Sequence, residues 1–354
     1  MVATKTDVGA TEWVIDDAVT RLRVWGTDRH YDLAANGEAT IGSATSCSIR
    51  LVDPAEQVSR EHARLVREGE RLFLRDLGSK NGIRLDGARR NEFIVEPGVE
   101  LGIGGLTLIA ESPRLIALRE FLARILGWSG ERIEAVDLAL RAVRVAASRR
   151  APLVLAGDGD LIPIARAIHV RARGAERPFV LCDPRRRRGE ATVRSAENYD
   201  LGMPAFAAAT GGSLCVWSHR TPSDFGEVRA ALRDPSHRVQ LIACAQRANE
   251  AEQFAAYVVD IPALTSRAGE IDRIVAEFGA DATAMLGAAF TKADREWVRE
   301  HSSASLTDIE KGTLRLVALR EGGSVARAAS LLGMSHVALA EWIGRRRLPH
   351  RRQR

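Results

Sequence analysis

A chain of 354 residues with 45% hydrophobic content has material for two or three domains, each with its own core. No stretch is apolar for long enough to cross a bilayer, and the start "MVATKTDVGATEW" lacks the basic residues and apolar run of a secretory signal, so a soluble cytoplasmic protein is expected. The net charge of +5 is unevenly placed: six of the last ten residues, "RRRLPHRRQR", are arginine, which leaves the rest at about −1. A basic end of this kind is either solvated or a contact for phosphates. Cys47, Cys182, Cys215 and Cys244 lie far apart with no C-x-x-C pair, which predicts free thiols and no metal site.

Residues 20–110 read as short strands. "SIRLV", "HARLV", "RLFLRDL" and "GIRL" show alternation or brief apolar runs, and turn residues separate them at Asp53-Pro54, Gly69, Ser79-Lys80-Asn81-Gly82 and Asp86-Gly87. The expected fold is an all-β sandwich.

Three segments in that module carry a further pattern: "IGS" from Ile41, "VSREHARL" from Val58 and "DLGSKNGIRLDG" from Asp76. In this order and spacing, residues 15–112 resemble the forkhead-associated (FHA) domain, a sandwich that binds phosphothreonine peptides. A phosphate dianion needs several fixed donors, which loops at one end of a sandwich can supply. The resemblance implies that Ser59 donates its hydroxyl to the phosphate with Arg60 beside it. It implies likewise that Asn81 holds the peptide backbone, Lys80 makes a further phosphate contact, and His62 is structural. The family has Gly-Arg where this chain has Gly42-Ser43, so Ser43 forfeits a charge-assisted bond of about 1.5–3 kcal/mol. Arg60 and Lys80 are the cations at hand to compensate. Ile83 replaces the family's threonine after Asn-Gly. A structural or phospho-independent module is the alternative.

Beyond the sandwich come two amphipathic helices, with Leu115, Leu118, Leu122 and Ile125 on one apolar face and Ile133, Val136, Leu140, Val143 and Ala147 on the other. Strand Leu153–Ala156, helix Ile162–Arg171 and the strands "PFVLC", "GGSLCVW" and "VQLIACA" follow, which predicts an α/β domain over 113–300 with a largely parallel sheet. The order of segments resembles the AAA+ core of sigma-54-dependent activators.

The chemistry of that core is missing. A phosphate-binding loop is G-x-x-x-x-G-K-[ST]. Counted from Gly157, its last three positions fall on Ile162, Pro163 and Ile164; counted from Gly159, on Ile164, Ala165 and Arg166. Neither register supplies the lysine or the magnesium-binding hydroxyl. Where the family carries acidic residues after its third strand, this chain has Trp217-Ser218. The "GAFTGA" loop is absent, the arginine-finger segment is too short, and "SLTDIE" replaces the sensor arginine. A degenerate core that hydrolyses no ATP, binds no cofactor and holds no metal is expected. Asp158, Asp160 and Asp183 either repel a triphosphate or are idle surface residues, and "DPRRRRG" reads as a solvated loop, with a nucleic-acid contact as the alternative.

Residues 303–350 predict three helices. Ser305 or Thr307 caps the first and Gly322-Gly323 ends it; Ser324 opens the second; Gly333 turns the chain; Ser335 starts the third. "GGSVARAASLLGMSHVALAEWI" resembles the Fis-type helix-turn-helix that closes many sigma-54 activators. By that resemblance the third helix enters the major groove and presents Ser335, His336, Ala338, Ala340, Glu341 and Trp342. Arg345, Arg346 and Arg347 then hold phosphates, and Arg327 adds a cation near the backbone. Ala338, Ala340 and Glu341 are poor donors, so readout rests on Ser335 and His336. Fis-type modules usually work as dimers, which adds a homo-oligomer to the expected partners. The alternative is a three-helix cap that packs on the central domain.

The three segments together imply a multidomain, non-catalytic bacterial transcriptional regulator, nucleoid-associated in the cytoplasm, whose partners are a phosphothreonine protein and double-stranded DNA. The alternative is a phosphopeptide-binding scaffold that never meets DNA.

Overall fold

The computed structural model describes residues 18–34, 38–69, 71–186, 188–189, 191–193, 196–346 and 348. Two compact units divide the chain: Met1–Ala123 with Trp128–Arg149, and Arg124–Gly127 with Arg150–Arg354.

The first unit is built from β1 (Arg21–Val24), β2 (His30–Asp32), β3 (Ala39–Gly42), β4 (Ile49–Arg50), β5 (Ala63–Glu68), β6 (Arg71–Asp76), β7 (Ile83–Leu85), β8 (Ala88–Arg90), β9 (Glu92–Ile94), β10 (Glu100–Ile103) and β11 (Leu106–Glu111). They form a six-stranded sheet in the order β2-β1-β11-β10-β7-β8 and a five-stranded sheet in the order β4-β3-β5-β6-β9. The pairings are antiparallel except for β3 with β4, which run parallel with Gly42 opposite Arg50. Alternation works as the sequence predicts: Leu72 and Leu74 of β6 face inward with Leu65, Ile41, Ile83, Leu101 and Leu108, so the core lies between the sheets.

Two helices follow, α1 (Pro113–Leu126) and α2 (Ile133–Arg149). Helix α2 belongs to the first unit, so that unit extends past residue 112. Its apolar stripe includes a buried acid, Asp137, which receives both terminal nitrogens of buried Arg23 at 2.9 and 2.7 Å. Arg23 also pairs with buried Glu111 at 2.8 Å. Burial opposes the charge on Arg23, but the Asp137 bond and the two acidic charges outweigh it, and the pKa ends above the ordinary arginine value.

The second unit contains β12 (Leu153–Ala156), α3 (Ile162–Arg173), β13 (Phe179–Cys182), β14 (Glu197–Tyr199), α4 (Gly202–Ala208), β15 (Ser213–Trp217), α5 (Phe225–Ala231), β16 (Gln240–Ala245) and β17 (Tyr257–Asp260). These strands pair in parallel in the order β14-β13-β15-β16-β12-β17. β12, β15 and β16 are buried on both faces, which is why they read as continuous apolar runs. The unit continues through α6 (Ile271–Leu286), α7 (Lys292–His301), α8 (Leu306–Gly322), α9 (Val325–Leu332) and α10 (His336–Gly344). Among the described residues, no helix is long and apolar enough to cross a membrane.

Candidate functional site

At one end of the sandwich the β3–β4, β5-flanking and β6–β7 loops converge. Gly42 makes the first approach possible: a Cβ there would fall 2.0 Å from the Arg60 carbonyl oxygen, so only glycine lets the two backbones meet. The Ser43 and Ala44 N–H groups then donate to the Ser59 and Arg60 carbonyls at 3.0 and 3.1 Å. The Ser59 hydroxyl accepts the Lys80 N–H at 3.1 Å, which leaves its own O–H available to donate.

Asp76 organises the third loop by accepting the Gly78 and Ser79 N–H groups at 3.0 and 3.1 Å. The Asn81 amide donates to the Gln57 carbonyl at 2.8 Å, so its oxygen faces away as an acceptor. His62 is fully buried: Nδ1 accepts the Ser59 N–H at 3.0 Å, and Nε2 therefore donates to the Gly82 carbonyl at 3.1 Å. It pins two loops together, the structural role expected of it. Ser43, Ser59, Arg60, Lys80 and Asn81 thus lie around one patch. Arg60 and Lys80 are exposed, and among the described residues no carboxylate pairs with either.

Two further cations flank this patch that sequence reading missed. Arg50 Nε donates to the Ser43 carbonyl at 3.3 Å. A Cβ at Gly82 would fall 2.5 Å from Arg89 Nε, so the Arg89 guanidinium lies over Gly82, next to Asn81. "SIRLV" does signal an outward Arg50, but nothing in it announces the parallel pairing that carries it to Ser43.

In the second unit, the β12–α3 loop lies beside the switch in strand order between β12 and β16. The backbone donors at its two ends are engaged. The Gly157 N–H donates to the Ala245 carbonyl at 3.1 Å, and the Ile162 N–H donates to the Asp160 carboxylate at 3.3 Å. Pro163 removes another donor from the first turn of α3. From α8, the Thr307 hydroxyl donates to the Asp160 carbonyl at 2.8 Å. Asp183 is not the surface residue that the sequence suggests. It is fully buried, accepts the Arg185 N–H at 3.0 Å and faces the Arg186 and Arg220 guanidinium groups at 3.6 Å each, because a carboxylate at the end of a buried strand needs cationic partners.

The last three helices follow the predicted caps. Ser305, Ser324 and Ser335 each accept an N–H from the first turn of α8, α9 and α10. Gly333 turns the chain between α9 and α10 at φ 60°. On α10, Ser335, His336, Ala338, Ala340 and Glu341 are exposed, as expected. Trp342 is a correction: it is buried, not presented outward. Leu339, Trp342 and Ile343 stand at i, i+3 and i+4 and share the inward face, where the indole meets Trp297 edge-on at 5.6 Å. The Arg315 and Arg346 guanidinium groups lie 5.0 and 5.1 Å from its ring centre. Arg345 is exposed and sits 3.6 Å from Glu341, while Arg347 lies outside the described residues.

Comparison with known proteins bears on the first of these regions. The FHA domain model matches residues 39–104. Similar solved structures include one from work on phosphothreonine-dependent FHA interactions, 29% identical over 26% of this chain and 93% of that one, with a TM-score of 0.24. The FhaA FHA domain, complexed with the intracellular domain of another protein, is 30% identical over 25% of this chain and 96% of that one, with a TM-score of 0.24. Mycobacterium tuberculosis EmbR, in complex with a low-affinity phosphopeptide, is 28% identical over 27% of this chain and 24% of that one, with a TM-score of 0.25. No curated protein matches the chain. Residues 39–104 are an FHA domain.

Proposed function

We propose that the chain is a non-catalytic regulator that docks a phosphothreonine-bearing partner on its FHA domain and meets duplex DNA through α8–α10. The observation that carries the first half is the loop patch, where the Ser59 hydroxyl accepts the Lys80 N–H, the Asn81 amide is fixed on the Gln57 carbonyl, and the Lys80 and Arg60 cations are exposed. A dianion placed there gains charge-assisted bonds from groups whose backbones are already fixed. The test is a titration of the full chain with a phosphothreonine peptide and its unphosphorylated twin. The phosphopeptide should bind at least tenfold tighter, Ser59→Ala and Asn81→Ala should each weaken it about 5–50-fold, and Ser43→Arg should tighten it. Equal binding of both twins would leave the module phospho-independent.

The absence of ATP chemistry is part of the same proposal, and the Asp160 carboxylate at the start of α3 and Pro163 in its first turn support it. A triphosphate would meet the Asp160 carboxylate where a phosphate loop offers N–H groups and a lysine. Calorimetry with ATP and magnesium should find no affinity tighter than roughly millimolar, and a phosphate-release assay should find no turnover. Saturable micromolar binding would overturn this.

The exposed face of α10, followed by the basic end, supports the DNA half. A second reading, a scaffold that never meets DNA, is favoured by the packing of Trp342 and by the Thr307 bond to the β12–α3 loop. DNA binding by the intact chain separates the two.

A further inference from the structure

We infer that Arg50 supplies the phosphate-facing cation that Ser43 lacks, so that the site takes its phosphothreonine with an arginine delivered from β4. This rests on the proposal that the loop patch binds phosphothreonine.

Three observations converge on Arg50. The parallel pairing of β3 with β4 sets Arg50 opposite Gly42, and the Leu51 N–H donates to the Gly42 carbonyl at 2.8 Å. Ile49 and Leu51 are buried in the sandwich, so alternation turns Arg50 outward, where it is exposed. Its Nε donates to the Ser43 carbonyl at 3.3 Å, which anchors the guanidinium on the residue that faces Ser59 across the Ser43 N–H bond.

A guanidinium carries five N–H donors, and the Ser43 bond uses one of them. Among the described residues no carboxylate pairs with Arg50, so its terminal nitrogens retain their charge-assisted capacity. Anchoring also limits the cost of ordering a long side chain, because part of its freedom is already spent on Ser43. Ser43 itself offers only a neutral hydroxyl, and Arg60 and Lys80 approach from the opposite loops. With Arg50 in place, exposed cations come to the patch from three segments: β4, the turn before β5 and the β6–β7 loop.

The experiment uses the full chain and a degenerate peptide pool centred on phosphothreonine, with the same pool carrying threonine as its twin. Arg50→Ala should weaken phosphopeptide binding about tenfold or more and leave the threonine pool unchanged. Arg50→Lys should keep part of the affinity, since it restores the charge but not the fork. In a Ser43→Arg background, Arg50→Ala should cost less than twofold, because the cation has been returned to its usual place. Arg64, an exposed arginine on β5 paired with Glu38, is the control for bulk charge. An Arg50→Ala loss no larger than that of Arg64→Ala, or one undiminished beside Ser43→Arg, overturns the inference while leaving phosphothreonine binding intact. A wild-type chain that fails to distinguish the two pools removes both.

Discussion

Replacing Asp137 by alanine should destabilise the first compact unit by about 3–5 kcal/mol, the usual cost of stranding one member of a buried ion pair. Arg23, only 1% exposed, would lose its bidentate partner and keep Glu111 as its acidic partner, with the Thr27 carbonyl at 2.9 Å. The Gly26 N–H, which donates to Asp137 at 2.8 Å, would be orphaned as well. Arg119, 3.2 Å from Asp137, would fall back on Asp28. For a unit of this size the fall in Tm should be roughly 10–16 °C by calorimetry. Asp28→Ala is the matched comparison. Its carboxylate is 70% exposed, so losing its bond to Arg119 should cost no more than about 1 kcal/mol. A change of less than about 1 kcal/mol in Asp137→Ala would mean that water replaces the carboxylate without penalty. The same reasoning sets the useful fragment: one ending at 112 lacks Asp137 altogether, whereas residues 18–149 keep the network whole.

That network also marks where sequence reading stops. The sandwich was legible because alternation in "RLFLRDL" and "HARLV" states which side chains turn inward, and because turn residues stand between the strands. The loop motif was legible because its residues lie in short local segments. Arg23 and Asp137 are 114 positions apart, and each interrupts an apolar pattern, so neither points to the other. Arg50 escaped for a related reason: its meaning depends on a two-residue parallel pairing that leaves no local periodicity. Trp342 is the opposite case. Leu339, Trp342 and Ile343 announce an inward face by spacing alone, and the expectation that Trp342 points outward came from the helix-turn-helix resemblance rather than from that spacing. Asp183 looked idle because its partners Arg186 and Arg220 are set around it by the strand order, not by the sequence around it.

Binding of residues 303–354 to duplex DNA should depend on salt more steeply than on sequence. Arg345, Arg346, Arg347, Arg351 and Arg352 all follow α10, the first two within the described residues and the other three read from the sequence. If five phosphates are neutralised, log K falls against log salt with a slope of roughly −4.5, a loss of about 500-fold in affinity between 50 and 200 mM. Replacing Arg345, Arg346 and Arg347 together by alanine should flatten the slope by up to about three units and lower affinity for every sequence alike. Because Arg346 also donates to the Trp342 carbonyl at 3.3 Å, circular dichroism must show that the variant keeps its helices. His336 gives the contrasting signature. It is exposed at the first turn of α10, beside Ser335, whose hydroxyl accepts the Ala338 N–H at 3.2 Å. Its replacement should leave the salt slope alone and erode the preference among sequences by roughly 1–3 kcal/mol if it reads a base edge. With Ala338, Ala340 and Glu341 on the same exposed face, there are few donors to add specificity, so the ratio of best to random sites should be small. A fragment that binds no DNA at low salt, even when fused into a dimer, leaves α8–α10 as a cap on the second unit and favours the scaffold.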